Sequence, residues 1–78
     1  MSALTPNVID VREIPRSQRH STILSLFDRL APGEAFDLVN DHDPVGLLYQ
    51  FTMLMPGAFS WEYLVQGPEE WRVRIGRN

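Results

Sequence analysis

The sequence predicts an α+β two-layer sandwich of order βαβαββ, in which two helices cover one face of a four-stranded mixed sheet. Two short apolar segments are each followed by a segment whose apolar residues have helical spacing, and two alternating segments close the chain. Strands joined through a helix are expected to run parallel with a right-handed crossover, whereas a closing hairpin is antiparallel. Two helices suffice to cover only one face of the sheet.

The first strand and helix are predicted between residues 8 and 30. Residues 8–12 are short and β-branched and precede Pro15, which indicates a buried strand that leads into a turn. Ser17 is predicted to cap the first helix, and Pro32 and Gly33 are predicted to end it. The apolar stripe of this helix consists of Ile23, Leu26, Phe27 and Leu30.

The second strand and helix are predicted between residues 35 and 55. Residues 35–39 form the strand, Asp43 caps the helix, and Pro44 takes the first helical position, where its missing N–H costs nothing. Pro56 and Gly57 end the helix. Its predicted core face consists of Leu47, Leu48, Phe51, Leu54 and Met55.

Alternation predicts the last two strands and the turn of residues 66–69 between them. The third strand is predicted to bury Phe59, Trp61, Tyr63 and Val65, and the fourth Trp71, Val73 and Ile75. The opposite sheet face is either solvated or used by a partner. Its polar residues favour solvent, and they are Ser60, Glu62, Arg72 and Arg74.

Composition limits the classes of protein that the chain can represent. With 78 residues it has room for one domain with one core, and we expect residues 1–6 to be a loose end. It has no cysteine, which excludes disulfides, thiolate metal sites and a cysteine nucleophile. A net charge of −3 argues against nucleic acid as a partner. No apolar run long enough for a membrane span and no secretory signal are visible, so we expect a cytoplasmic location.

Several short motifs carry a resemblance to a known family. They are Ile-Asp-Val-Arg at 9–12, Arg-His at 19–20, Phe-Asp-Arg-Leu at 27–30, Pro-Gly-Glu at 32–34, Asn-Asp-His-Asp-Pro at 40–44, Trp-Glu-Tyr at 61–63, Gly-Pro at 67–68 and Trp-Arg-Val-Arg-Ile at 71–75. With them the chain resembles, from residue 8 to 77, the bacterial family called domain of unknown function 2249. The resemblance implies a TusA/SirA-like fold with sheet order 1-2-4-3 and the last strand antiparallel to the rest.

The resemblance also bears on chemistry. TusA proteins carry a Cys-Pro pair after the first strand, where the cysteine holds sulfur; this chain keeps Pro15 but has no cysteine, so sulfur transfer is excluded. Domains similar to this one are fused to hemerythrin-like or cupin modules and associated with nitrogen-oxide respiration. That context implies a redox or metal setting in bacteria.

Polar residues from three loops are predicted to gather at one edge of the sheet. The loops that follow two adjacent parallel strands emerge together, at the place where open α/β sheets usually bind ligands, and the closing hairpin comes to the same edge. Two helix N-termini there favour an anion. The candidate residues are Arg12, Arg19, His20, Asp41, His42, Asp43 and Glu69.

Three interpretations of these residues remain open. In the first, His20, His42 and Asp41 hold a divalent metal such as Fe, Cu or Zn, or the histidines bind haem. In the second the cluster is structural: Asp43 caps a helix, Asp41 pairs with Arg12 or Arg19, and His20 bonds a loop carbonyl. In the third, the cluster binds a small anion or a protein partner through residues that include Arg12, Arg19, Asp43 and Glu69.

A second candidate surface lies on the second helix. Tyr49 and Met53 are one turn apart and off the core stripe, so they either form an exposed apolar interface or pack laterally against the first helix. We favour lateral packing, because a two-layer domain also buries the flanks of its helices.

These observations favour a non-enzymatic accessory or interaction domain of bacterial redox or nitrogen-oxide metabolism. The alternative is a small metal- or haem-associated redox protein, or a metal-dependent enzyme, that uses His20 and His42. A nucleic-acid module comes third, because only Arg72, Arg74 and Arg77 support it. The sequence does not predict the oligomeric state.

Overall fold

The fold begins with a strand that pairs in parallel with the next strand along the chain, across an intervening helix. The structure, a computed structural model, describes residues 7–78, so the predicted loose end at residues 1–6 lies outside the described residues. The elements are β1 (Asn7–Asp10), a 3₁₀ turn (Val11–Glu13), α1 (Arg16–Asp28), β2 (Ala35–Asn40), α2 (Val45–Leu54), β3 (Phe59–Gln66) and β4 (Trp71–Arg77).

The four strands form one sheet in the order β1-β2-β4-β3. β1 is parallel to β2, and β4 is antiparallel to both β2 and β3. The predicted fold class, sheet order and antiparallel last strand are therefore confirmed. Asn40 at the end of β2 lies opposite Trp71, and Gln66 at the end of β3 lies opposite the same residue. The ends of β1 and β2 and the β3–β4 hairpin thus meet at one edge of the sheet, as predicted.

The core fills the space between the helices and one face of the sheet. α1 contributes Ile23 and Phe27, and α2 contributes Leu47 and Phe51. The sheet side of the core consists of Phe36, Leu38, Val73 and Ile75. Because both helices bury their residues against this one set, they cover the same face of the sheet.

Aromatic rings join the two layers of the core. Phe51 packs edge-on against Phe27 at a centroid distance of 5.1 Å, against Phe59 at 5.3 Å and against Trp61 at 6.2 Å. This geometry places the positive edge of one ring against the negative face of another and adds to the burial energy of each ring. Phe51 is fully buried and is the ring that connects both helices to the sheet.

The opposite face of the sheet carries ion pairs. Arg74 donates two hydrogen bonds to the buried carboxylate of Asp37, at 2.8 and 3.1 Å, and Arg12 makes an ion pair of 2.7 Å with Asp10. Arg77 does not share this face with Arg74: it lies on the helix side of the sheet, 5.6 Å from the ring centre of Phe27. Arg72, Arg74 and Arg77, which were expected to support a nucleic-acid module, therefore do not form one stripe. Arg74 and Arg77 are three residues apart, and side chains an odd number of residues apart on a strand point to opposite faces.

The first loop turns earlier than predicted. β1 ends at Asp10, whose carboxylate accepts a hydrogen bond of 3.0 Å from the N–H of Arg12 and so turns residues 11–13 out of the strand. The predicted cap of the first helix is also wrong: α1 begins at Arg16, and Ser17 lies inside its first turn. Pro15 takes the cap position, and no side chain caps this helix.

Three predictions about the second helix are wrong. Pro44, and not Asp43, is the residue that precedes α2, because the Asp43 carboxylate is bonded to Tyr63. Leu54 is 61% exposed and does not belong to the core face. Tyr49 and Met53 do not pack laterally against α1; they are 68% and 63% exposed.

Neither helix of residues 7–78 has the length and apolar character that crossing a bilayer requires.

A β-bulge changes the end of the third strand. Tyr63 pairs with Val73, but the next pair joins Val65 to Arg72, so β3 has one extra residue there. The extra residue moves Val65 to the face of Arg72, because successive side chains of a strand alternate. Val65 is accordingly exposed, and its predicted burial is wrong.

Candidate functional site

A cavity of about 330 Å³ opens at the edge of the sheet where the predicted loops meet. It lies between the first half of α1 and the start of α2. We call it the loop-edge cavity. Its lining consists of Arg16, Arg19, His20, Ile23, Asn40, His42, Asp43, Pro44, Val45, Gly46 and Leu47.

One face of α1 supplies one wall of the loop-edge cavity. Arg16, Arg19, His20 and Ile23 are separated by three, four and seven residues, which places them on a single side of a helix. Ile23 is buried and continues into the core, whereas Arg16 near the solvent end is exposed. This wall is therefore cationic at its mouth and apolar at its base.

The opposite wall is formed by the end of β2 and the first turn of α2. The turn between them brings Val45, Gly46 and Leu47 to the cavity. No side chain caps α2, and within residues 7–78 the N–H groups of Gly46 and Leu47 have no hydrogen-bond partner. Unpaired N–H groups at a helix N-terminus carry partial positive charge, so this wall also favours an anion.

Arg19 is held in place by backbone carbonyls and not by a carboxylate. Its Nε donates to the carbonyl oxygen of Ile14 at 2.9 Å, and one terminal nitrogen lies 3.5 Å from the carbonyl oxygen of Arg12. Within residues 7–78 its other terminal nitrogen, Nη1, is buried without a hydrogen-bond partner. Among the described residues neither Arg19 nor Arg16 makes an ion pair. The carboxylates nearest to Arg19 therefore act on it only through space.

His20 connects the two helices beside the cavity. Its Nδ1 lies 3.0 Å from the side-chain oxygen of Gln50 on α2, which makes Nδ1 the donor. The structural interpretation expected a loop carbonyl as the partner of His20, and this expectation is wrong. The hydrogen bond ties the α1 wall to the α2 wall.

His42 and Asp41 form an exposed pair on the turn between β2 and α2. His42 Nδ1 lies 2.7 Å from a carboxylate oxygen of Asp41. This hydrogen bond lowers the pKa of Asp41, and the positive charge of Arg19 adds to the effect. His42 lines the cavity, whereas Asp41 does not. The expected ion pair of Asp41 with Arg12 or Arg19 is absent from residues 7–78.

Asp43 lines the cavity but already has a partner. Its carboxylate accepts a hydrogen bond of 2.7 Å from the hydroxyl of Tyr63 on β3. Burial raises the pKa of Tyr63, and the bond to Asp43 raises it further. The bond fixes the turn before α2 against the sheet. Among the described residues that line the cavity, Asp43 is the only one with a carboxylate.

Three of the candidate residues lie outside the cavity: Asp41, on the turn described above, and Arg12 and Glu69. Arg12 is bonded to Asp10, which lowers the pKa of that carboxyl group, and it lies 3.9 Å from Glu70 of the hairpin. Glu69, the predicted acid of the hairpin, is exposed and makes no hydrogen bond or ion pair with the described residues. The hairpin therefore contacts the first loop through Glu70, and neither Arg12 nor Glu69 faces the cavity lining.

The three proposed metal ligands are not brought together. Both His20 and His42 line the cavity, but each ring has its Nδ1 directed to another side chain, Gln50 and Asp41 respectively. Within residues 7–78 no group of three or more His, Asp or Glu side chains is placed to hold one metal ion. The structure thus does not assemble the set of His20, His42 and Asp41.

Four polar side chains of the site were not among the candidates. Arg16 could have been found, because it lies one turn before Arg19 and His20 on the same helix face. Asn40 could have been found as the last residue of β2. Nothing in the sequence indicates Gln50 or Tyr63. Gln50 is 30 residues from its partner His20, and Tyr63 is 20 residues from its partner Asp43.

Comparison with known proteins gives one match. A family model described as "Uncharacterized conserved protein (DUF2249)" matches residues 8–77. No curated protein and no solved structure matches the chain.

Proposed function

This chain belongs to the DUF2249 family of uncharacterized conserved proteins, and we propose that it is a non-enzymatic accessory domain that binds an anionic group in the loop-edge cavity. The group is a small anion or the charged part of a protein partner. The observation that carries this proposal is the excess of arginine in the cavity: within residues 7–78, Arg16 and Arg19 line it without an ion pair, against the single carboxylate of Asp43.

Charge and hydrogen-bonding capacity both support an anion. A guanidinium group recognises carboxylate or phosphate oxygens through paired N–H donors. The N–H groups of Gly46 and Leu47 add donors from the opposite wall. A volume of about 330 Å³ lies at the lower end of the range of about 300–1,000 Å³ for ligand pockets, which suits a small group.

The wider setting is part of the same proposal. The order β1-β2-β4-β3 and the βαβαββ arrangement support a TusA/SirA-like fold. The absence of cysteine from the sequence excludes cysteine-based sulfur transfer, and the role that we propose for the site is binding. A cytoplasmic location in a bacterium and a link to redox or nitrogen-oxide metabolism rest on the sequence resemblance.

The proposal is tested by measuring anion affinity in matched variants. We expect Arg16→Gln to weaken binding of acetate and of inorganic phosphate about tenfold, because a hydrogen bond to a charged group contributes about 1.5–3 kcal/mol. Arg29→Gln is the control: it removes the same charge from an exposed residue just beyond α1, outside the cavity. Dissociation constants from ligand-observed NMR at constant ionic strength compare the two variants with the wild type.

Arg19→Gln is the second variant, and its folding is checked by circular dichroism because Arg19 also bonds Ile14. Equal affinity of the Arg16→Gln, Arg29→Gln and wild-type proteins for both anions would overturn the proposal. The proposal would also be overturned if the wild type bound neither anion at about 100 mM. A dissociation constant of about 100 mM corresponds to a binding free energy of only about −1.4 kcal/mol at 1 M standard state.

A further inference from the structure

An exposed apolar stripe runs along α2. Val45, Tyr49 and Met53 are 59%, 68% and 63% exposed, and they follow one another at four-residue intervals on one side of the helix. The buried residues of the same helix, Leu47 and Phe51, lie on the side opposite the stripe. We call these three exposed residues the α2 stripe.

The α2 stripe is continuous with the loop-edge cavity. Val45 belongs to both: it is the first residue of the stripe and also lines the cavity. A single ligand can therefore place a charged group in the cavity and an apolar group on the stripe. The two surfaces differ in character, because the cavity contains Arg16 and Arg19 whereas the stripe carries no charge.

We propose that the anionic group is the C-terminal carboxylate of a partner protein, and that apolar side chains at the last and third-from-last positions of the partner pack on the α2 stripe. This inference rests on the proposed function and names the partner of the same site. A chain terminus suits the site because its final residue carries the carboxylate and an apolar side chain on the same Cα atom, which matches the position of Val45 in both surfaces.

The spacing of the stripe fits an extended peptide. Residues four apart on a helix are separated by about 6 Å along its axis. Side chains two apart on an extended chain are separated by about 6.6 Å and point to the same side. A peptide that lies along α2 with its carboxylate at the cavity can therefore place one side chain between Val45 and Tyr49, and the next between Tyr49 and Met53.

Charge complementarity selects the same orientation. Within residues 7–78 neither Arg16 nor Arg19 makes an ion pair, and the N–H groups of Gly46 and Leu47 have no hydrogen-bond partner, so the carboxylate meets available donors at the start of α2. Capture of a terminal carboxylate by backbone N–H groups is an established mode of peptide recognition. The reverse orientation would direct a positively charged amine, or an uncharged segment, toward these donors.

The test uses four probes. The first three are acetate, the tripeptide N-acetyl-Leu-Ser-Leu with a free carboxylate, and the same tripeptide with a C-terminal amide. We expect the free-acid tripeptide to bind at least tenfold more tightly than acetate, and the amide to lose at least tenfold relative to the acid. A fourth probe, amidated N-acetyl-Leu-Ser-Asp, offers a side-chain carboxylate and is expected to bind less tightly than the free-acid tripeptide.

Matched variants assign the apolar contribution. We expect Tyr49→Ser and Met53→Ser each to weaken tripeptide binding about fivefold while they leave the affinity for acetate unchanged. Leu54→Ser is the control, because Leu54 is equally exposed, at 61%, on the same helix but outside the α2 stripe. It is expected to change neither affinity.

The possible outcomes separate this inference from the proposed function. If acetate binds and the free-acid tripeptide binds no more tightly, the stripe is not part of the site and only this inference fails. If the amidated tripeptide binds as well as the acid, or the aspartate probe binds better, the terminal carboxylate is overturned. If no probe binds, both proposals fail. Concentration-dependent dimerisation that Tyr49→Ser abolishes and Leu54→Ser retains would show that a second copy covers the stripe, and would also overturn the inference.

Discussion

Phe51→Ala should leave about half of the protein or more unfolded at 25 °C. Phe51 is fully buried, and its ring contacts those of Phe27, Phe59 and Trp61 across the two layers of the core. Truncation of a buried phenylalanine costs about 3–5 kcal/mol through lost burial and the cavity that remains. A core of this size supplies only about 3–5 kcal/mol of net stability, so the loss is comparable to the whole.

The measurement is urea unfolding followed by circular dichroism, with Tyr49→Ala as the control. Tyr49 lies two residues from Phe51 on the same helix but is 68% exposed. Its replacement should change the free energy of unfolding by about 0.5 kcal/mol or less. A Phe51→Ala protein that folds within about 1 kcal/mol of the wild type would contradict the described core, since so small a loss is typical of a partly exposed site.

Gly67→Ala should have the second largest effect. Gly67 has a φ of 65°, and an added Cβ would lie 2.8 Å from two carbon atoms of the Trp71 ring. The left-handed conformation costs a residue with a side chain about 1–2 kcal/mol. The overlap with a bulky ring adds about 1–3 kcal/mol. We therefore expect the free energy of unfolding to fall by about 2–5 kcal/mol.

Gly33→Ala separates the two causes. Gly33 also has a positive φ, of 90°, but an added Cβ there meets no atom within 4 Å. Its replacement should cost only the conformational part, about 1–2 kcal/mol. Urea unfolding gives the loss in the free energy of unfolding for each variant. The difference between the two losses reports the contact with Trp71. Equal losses in the two variants would show that the hairpin does not pack against Trp71 as described.

The sequence predicts the arrangement of the elements because most of them have strong local patterns. The β3–β4 hairpin is visible from strict alternation of apolar and polar residues, and the core stripe of α1 from the spacing of Ile23 and Phe27. The sheet order follows from the family resemblance and not from these patterns. Together they place the ends of β1 and β2 and the hairpin at one edge.

Sequence patterns mispredict a side chain's position where a local irregularity or a single tertiary contact determines it. Val65 continues the alternation of β3, but one extra residue reverses its face. Asp43 precedes a proline as a helix cap should, yet its carboxylate bonds Tyr63 instead. Leu54 has the spacing of a core residue but lies at the last position of α2, where its side chain is exposed.

The candidate site could be predicted in its location and only partly in its members. Parallel pairing of β1 and β2 brings Arg19, His20 and His42 to one cavity, as expected from topology alone. Which acid of the hairpin contacts Arg12 depends on the turn, and the structure selects Glu70 over Glu69. That Arg19 makes no ion pair within residues 7–78 is visible only in three dimensions, because its hydrogen-bond partners are backbone carbonyls.

The central claim is that the loop-edge cavity binds an anion, and a titration of ¹⁵N-labelled protein with acetate tests it most directly. Carboxylate oxygens that accept hydrogen bonds from the start of α2 should shift the amide signals of Gly46 and Leu47 in a saturable way, together with the side-chain Nε–H signal of Arg16. The Nε–H signal of Arg29, outside the cavity, should not move. Saturable shifts confined to residues outside the cavity, or no saturable shift at all, would contradict the account.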